Sequence, residues 1–228
     1  MSSGITSPAS AGEVGRSPGQ DRQSATAFAP ASVGNVGVGF DILGHTVAAL
    51  GDRVRVTRRA APGVAIRSIT GMVPDLPLDA EKNTAGMAVL ALCRDLELPF
   101  GFELEIEKGI PLGSGLGGSA ASAVAGVVAA AALVDEPLDR TALLKFAMQG
   151  EAVASGAVHV DNIAPSLFGG LVLTVGIDNP FVKQIPVPET IRCVLVHPHM
   201  VLPTREARAI LSKTVTLASG ASDVSTVT

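Results

Sequence analysis

The chain has 228 residues, 47% of them hydrophobic and 17% charged, long enough to bury a substantial core and too apolar for a disordered or fibrous protein. A net charge of −4 with no Trp or Tyr supplies neither a broad basic surface nor rings for base stacking, which argues against a nucleic-acid partner. Cys93 and Cys193 stand far apart and outside any CxxC pair, so both are expected as reduced thiols in a cytoplasmic protein.

Residues 1–25 are rich in Ser, Gly and Pro and hold no apolar stretch fit for a signal peptide, so they are expected as a disordered tail. Order is expected from Thr26, where TAFAP leads into the glycine-rich SVGNVGVGFD and then into DRVRVTRR, whose alternation predicts a strand. GVAIRSI predicts another strand. Asn83 to Leu96 has helical spacing, with Met87, Leu90 and Ala91 on one side, and GFELEIEKG alternates as a strand. IPLGSGLGGSAASAVAGVVAAAALV then turns from a glycine loop into a helix. Its Ala- and Val-rich stretch from Ser119 to Val134 spans 16 residues, short of the roughly 20 that cross a bilayer, and reads as a buried helix with no membrane partner. Asp139 is an N-cap candidate for a helix reaching about Ser155. LFGGLVLTVGI and IRCVLVHPH read as strands, and a last helix is expected near Thr204. Strands and helices mix without the steady alternation of a doubly wound sheet, so the class is α+β.

The loop from Gly113 to Ser119 carries glycines that let backbone approach an anion, and it opens into a helix whose first N–H groups point toward such a guest. The alternatives are a flexible turn and, because the string satisfies GxGxxG with Asp135 downstream, a dinucleotide fold. No second strand follows to carry a ribose ligand, no Gly-Lys-Ser/Thr makes a Walker A loop, and no HRD or DFG tract marks a protein kinase. On the helix after Asp139, Glu151 falls at helical spacing from Leu143, Leu144 and Ala147, on the apolar face. It is either a carboxylate at the edge of that face or a ligand for the Mg that accompanies ATP. Asn35 and Asp41 flank a glycine-rich turn, as ordinary turn formers or as oxygen acceptors for an ammonium group. His197 and His199 lack a third ligand nearby, which argues against a metal site.

PLGSGLGGSAAS is similar to the phosphate loop of GHMP kinases, PxGxGLGSSAA, with Gly118 in place of the first serine. PASVGNVGVGFDILG resembles the N-terminal motif of homoserine kinases within that superfamily, PASSANLGPGFDxLG. GAVHVDNIAP followed by LFGG resembles their GxxHxDNxAP tract, and TREAR their TxEAR. The four tracts occur in the family's order between about Thr26 and Leu211.

The resemblance implies a GHMP kinase fold, with an N-terminal domain like the second domain of ribosomal protein S5 over residues 26–187. An incomplete ferredoxin-like domain would follow over 188–228, since the third glycine motif and further arginine of the family are not found after Arg208. It implies phosphorylation of L-homoserine by ATP with Mg2+, a step toward threonine. Pro111, Leu112, Gly113, Ser114, Gly115, Leu116, Gly117, Gly118, Ser119, Ala120 and Ala121 would cradle the nucleotide phosphates, and Ser119 and Glu151 would hold Mg. Asn35, Asp41, Asn162, Thr204 and Arg208 would bind the substrate, with Arg208 gripping its carboxylate through a guanidinium fork. Asn162 and Asp161 would lie at the reacting hydroxyl, and His159 would be structural. Asp161 is the one obvious proton acceptor, although positioning and electrostatics alone suit a loose phosphoryl-transfer transition state. The alternatives are a non-catalytic fragment and another GHMP small-molecule kinase. A homodimer is a possible assembly.

Overall fold

The computed structural model describes residues 22–155, 159–176, 178–196 and 209–210. Six strands form one mixed sheet: β1 (Ser24–Val33), β2 (Leu43–Arg59), β3 (Gly63–Gly71), β4 (Gly101–Lys108), β5 (Leu171–Val175) and β6 (Phe181–Ile185). Four α-helices, α1 (Thr84–Asp95), α2 (Gly118–Ala131), α3 (Arg140–Ser155) and α4 (Val160–Phe168), and a short 3-10 helix (Ala80–Lys82) accompany the sheet among the described residues. The sheet runs β3-β4-β2-β5-β6, with β1 paired to β2 off that path. Only β3 and β4 are parallel. The others pair antiparallel, which agrees with the expected α+β class.

The alternation of β4 explains how the sheet is used. Phe102, Leu104, Ile106 and Lys108 are buried, while Glu103, Glu105 and Glu107 turn outward. Side chains of a strand alternate between faces, so one residue of slip would exchange these sets. On the outer face the glutamates meet arginines, with Arg55 3.9 Å from Glu105 and Arg67 3.7 Å from Glu103. Such exposed pairs contribute little energy, but they discourage an inverted register. On the inner face α2 packs on β1 and β2. Small residues permit that close approach: Ala27, Ala29 and Ala31 on β1, and Ala120 and Ala123 on α2, are all buried. Being apolar on every side, α2 sits at the centre, flanked by α1, α3 and α4.

Several expectations need correction. β1 begins at Ser24, ahead of Thr26, and runs through Val33 into the first glycine tract. The most buried side of α1 is Ala85, Ala88, Val89 and Leu92 rather than Met87 and Leu90, which are only half-buried. Asn83 caps that helix through its side-chain oxygen, which accepts from the N–H groups of Ala85 and Gly86. α2 ends at Ala131, short of Val134. Residues 160–168, where no helix was expected and where LFGG was expected to open a strand, are helical because Val160, Ile163, Ala164 and Leu167 recur at helical spacing and are buried. β6 was not anticipated. Residues 191–196, expected as a strand, pair with no strand among the described residues and leave Val194 and Val196 exposed. β-propensity without a neighbouring strand does not make a strand. The expected helix near Thr204 and both histidines of HPH lie outside the described residues; of residues 188–228, expected to begin a second domain, only 188–196 and 209–210 are described.

The approach of α1 to α3 depends on Gly150, where an added Cβ would collide with the Thr84 carbonyl and lie 2.8 Å from the Ala88 Cβ. A backbone carbonyl cannot move aside as a side chain can. We expect Gly150→Ala to lose about 1–2 kcal/mol in urea unfolding, because overpacking of about 1–3 kcal/mol outweighs the helix propensity gained. A variant as stable as the parent would show that the helices can spread at no cost.

Candidate active site

The glycine loop leaves β4 at Lys108 and enters α2 at Gly118. Gly113, Gly115 and Gly117 have φ of 62°, 72° and 63°, a region that glycine enters without strain. Gly117 is the N-cap of α2, and no side chain caps the helix. The first N–H groups of α2 therefore remain for a guest, and the helix dipole favours a negative one.

Ser119 and Glu151 come together beside this loop. The Ser119 hydroxyl donates to Glu151 Oε1 at 2.9 Å, and Glu151 is only 5% exposed, so the inward face read from helical spacing is the observed one. Burial pushes the Glu151 carboxyl up to about 7, against the Ser119 hydrogen bond and the Lys108 charge, which favour ionisation, and with Asp161, which opposes it. An oxygen pair of hydroxyl and carboxylate fits Mg2+, which takes hard oxygen ligands and keeps places for phosphate and water.

The residues expected on the acceptor side, Asn35, Asp41, Asp161 and Asn162, are brought together by α4 and the segment between β1 and β2. Asn35 and Asp41 both have positive φ, 56° and 61°, which Asn and Asp tolerate better than most residues. The Asn35 N–H donates to Asp161 Oδ2 at 3.0 Å, and the Asp41 N–H donates to Asn35 Oδ1 at 2.9 Å. The oxygen of Asn35 thus closes its own loop. A Cβ at Gly34 would run into the Asp161 carboxylate, so any larger residue there would have to displace that side chain. His159, the N-cap residue of α4, places Nδ1 3.6 Å from Asp41 Oδ1. Asp161 is buried in the first turn of α4, and the Asn162 amide is 3.5 Å from its Oδ1.

Ser32, which sequence reasoning did not single out, joins the two halves. Its N–H donates to the Leu116 carbonyl in the glycine loop at 3.1 Å, and its hydroxyl donates to Asn162 Oδ1 at 3.1 Å. Gly117 abuts both Ser32 and Asn162, leaving no room for a Cβ. Also missed were Asp52, Lys108 and Ser122, a buried polar group beneath the loop. The phase of the strands could have found two of them: Asp52 precedes Val54 and Val56, and Lys108 follows Leu104 and Ile106, on the buried faces of β2 and β4. Thr204 and Arg208 lie outside the described residues.

Residues 83–170, which contain the loop, Glu151 and Asn162, match the family of the GHMP kinases N terminal domain. The homoserine kinase of Xylella fastidiosa strain M12 is 54% identical over 191 residues, which is 83% of this chain and 58% of that relative. The crystal structure of homoserine kinase from Cytophaga hutchinsonii superposes with a TM-score of 0.84 at 42% identity, covering 92% of this chain and 66% of that one. The chain is similar to homoserine kinases of the GHMP superfamily over most of its own length. It spans somewhat under two thirds of the length of these relatives. Mevalonate kinase of L. major has a TM-score of 0.58 at 17% identity, with 74% of this chain and 54% of that one covered, a likeness of fold alone. The described sheet and helices are accordingly the N-terminal part of a GHMP kinase fold. No helix among the described residues is long and apolar enough to cross a membrane.

The raised Glu151 carboxyl has a consequence for stability. Between pH 4.5 and about 7 the folded chain holds a proton that the unfolded chain releases, so this group's contribution to stability falls as pH rises through that window. Glu151→Gln keeps the size and removes the charge. In metal-free buffer we expect the variant to gain in melting temperature over the parent as pH goes from 5 to 8. A difference constant across those pH values would mean that burial does not penalise the Glu151 charge.

Proposed function

We propose that this chain carries the nucleotide site and part of the acceptor site of an ATP-dependent kinase that phosphorylates the side-chain hydroxyl of L-homoserine. The observation that carries the reading is Ser32, which hydrogen-bonds the glycine loop on one side and Asn162 on the other. An anion seated on the first N–H groups of α2 would lie beside Asn162. That juxtaposition is what transfer from a bound triphosphate to a bound alcohol requires. The relatives, homoserine kinases by name, support the same donor and acceptor.

In this reading residues 26–187 are the nucleotide-binding domain and 188–228 begin a C-terminal one. Residues Pro111 to Ala121 hold the phosphates chiefly through backbone. Ser119 and Glu151 hold Mg2+, which when bound offsets the phosphate charge. Asn35 and Asp41 receive the substrate ammonium, and Thr204 and Arg208 keep the role at its other end that the family resemblance gives them. Asn162 contacts the reacting hydroxyl. Asp161 already accepts from the Asn35 N–H, so we assign it first to shaping the acceptor loop, with any part in taking the hydroxyl proton secondary. The barrier falls mainly through orientation and charge stabilisation.

The test is ATP- and Mg-dependent phosphorylation of L-homoserine, mevalonate and galactose, using this chain extended to the length of its relatives. We expect homoserine to have the highest kcat/KM. Faster transfer to mevalonate or galactose would move the protein to another GHMP specificity. ATP binding without transfer to any of the three would favour a non-catalytic binding role.

A further inference from the structure

The glycine loop begins and ends on one buried ion pair. Asp52, on β2, is fully buried, and Lys108, the last residue of β4, is 5% exposed. Arg53 faces Glu107 in the pairing of β2 with β4, and continuing that register by one residue sets Asp52 opposite Lys108. The ammonium donates to Asp52 Oδ2, to the Gly118 carbonyl at 2.7 Å and to Ser122 Oγ at 2.8 Å. The Ser122 hydroxyl in turn donates to Asp52 Oδ2 at 2.6 Å, and the Gly109 N–H donates to Asp52 Oδ1 at 3.0 Å.

Two features of this network bear on function. An ammonium has three N–H donors, and three protein acceptors take them, so Lys108 acts on the protein rather than on a ligand. Further, Gly109 and Gly118 are the residues on either side of the loop. Asp52 holds the first by its N–H, and Lys108 holds the second by its carbonyl. The glycines between them allow many conformations, and ordering such a segment is entropically costly. Tying both ends to one rigid pair on the sheet removes much of that freedom before any anion arrives. A lone cation at the N-terminus of α2 would oppose the helix dipole. Asp52 offsets the charge.

We propose that Lys108, Asp52 and Ser122 form a clamp that preorganises the glycine loop for a nucleotide triphosphate, with Lys108 as a positioning residue. This rests on the nucleotide reading above. It assigns the loop's readiness to side chains outside the loop itself.

The test compares the unaltered chain with Ser122→Ala and with the double variant Lys108→Met/Asp52→Leu. The double variant avoids leaving one buried charge without its partner, a change that could unfold the protein, whereas apolar replacement of a whole buried pair is often tolerated. Hydrogen exchange of the free chain reads the clamp directly, and MgATP calorimetry reads its consequence. In the double variant we expect faster exchange at the amides of residues 110–119 with core strands unchanged. MgATP should bind about tenfold more weakly, the scale of losing charged hydrogen bonds. Ser122→Ala should shift both in the same direction by less. Loop exchange and MgATP affinity equal to the parent in the double variant would overturn the clamp and leave the pair a packing feature. If the unaltered chain fails to bind MgATP while loop exchange still rises in the variants, the nucleotide reading fails and the clamp stands.

Discussion

A loop that offers its backbone N–H groups to an anion cannot be held by hydrogen bonds to those same groups. The loop between β4 and α2 meets this constraint from outside. Its start is tied by the Gly109 N–H to Asp52, its far end by the Gly118 carbonyl to Lys108, and its middle by the Leu116 carbonyl, which accepts from Ser32. None of these bonds uses the first N–H groups of α2. Carbonyls and a residue ahead of the loop bear the restraint, and the donors stay available.

The second demand is that polar groups be brought into an apolar helical layer and remain satisfied. Burial of an unpaired polar or charged group is costly, and here the partners come from other elements. Glu151 on α3 meets Ser119 on α2, Asp161 on α4 meets the Asn35 N–H, and Asn162 meets Ser32 on β1. Close packing makes these meetings possible. Gly150, Gly34 and Gly117 stand where a Cβ would strike Thr84, Asp161 and Ser32 respectively. Each of these glycines marks a contact between elements rather than a flexible point.

Much of this was legible along the chain because it follows from short-range periodicity. The alternation of β4, the helical spacing that turns Glu151 inward, and the capping side chain of Asp139 all operate within a few residues. The same rules would have shown α4, whose apolar spacing is clear, although no helix was expected there. The strand expected at residues 191–196 erred in the opposite direction. Its β-branched composition suits a strand, yet pairing is a property of two segments and no partner lies beside it among the described residues.

The sequence by itself determined the glycine loop, its helix, the inward glutamate and the motifs that resemble those of homoserine kinases, because each is written in residues adjacent or at a fixed spacing. Which residues meet across the fold was decided only by tertiary structure. Asp52 and Lys108 are 56 positions apart and Ser32 and Asn162 are 130 apart, and no local rule pairs such residues. Strand phase could place the two charges on the buried face. Only the register of β2 with β4, and the seating of α2 on the sheet, could set them against each other beneath the loop, because burial is affordable to such charges only where that partnership exists.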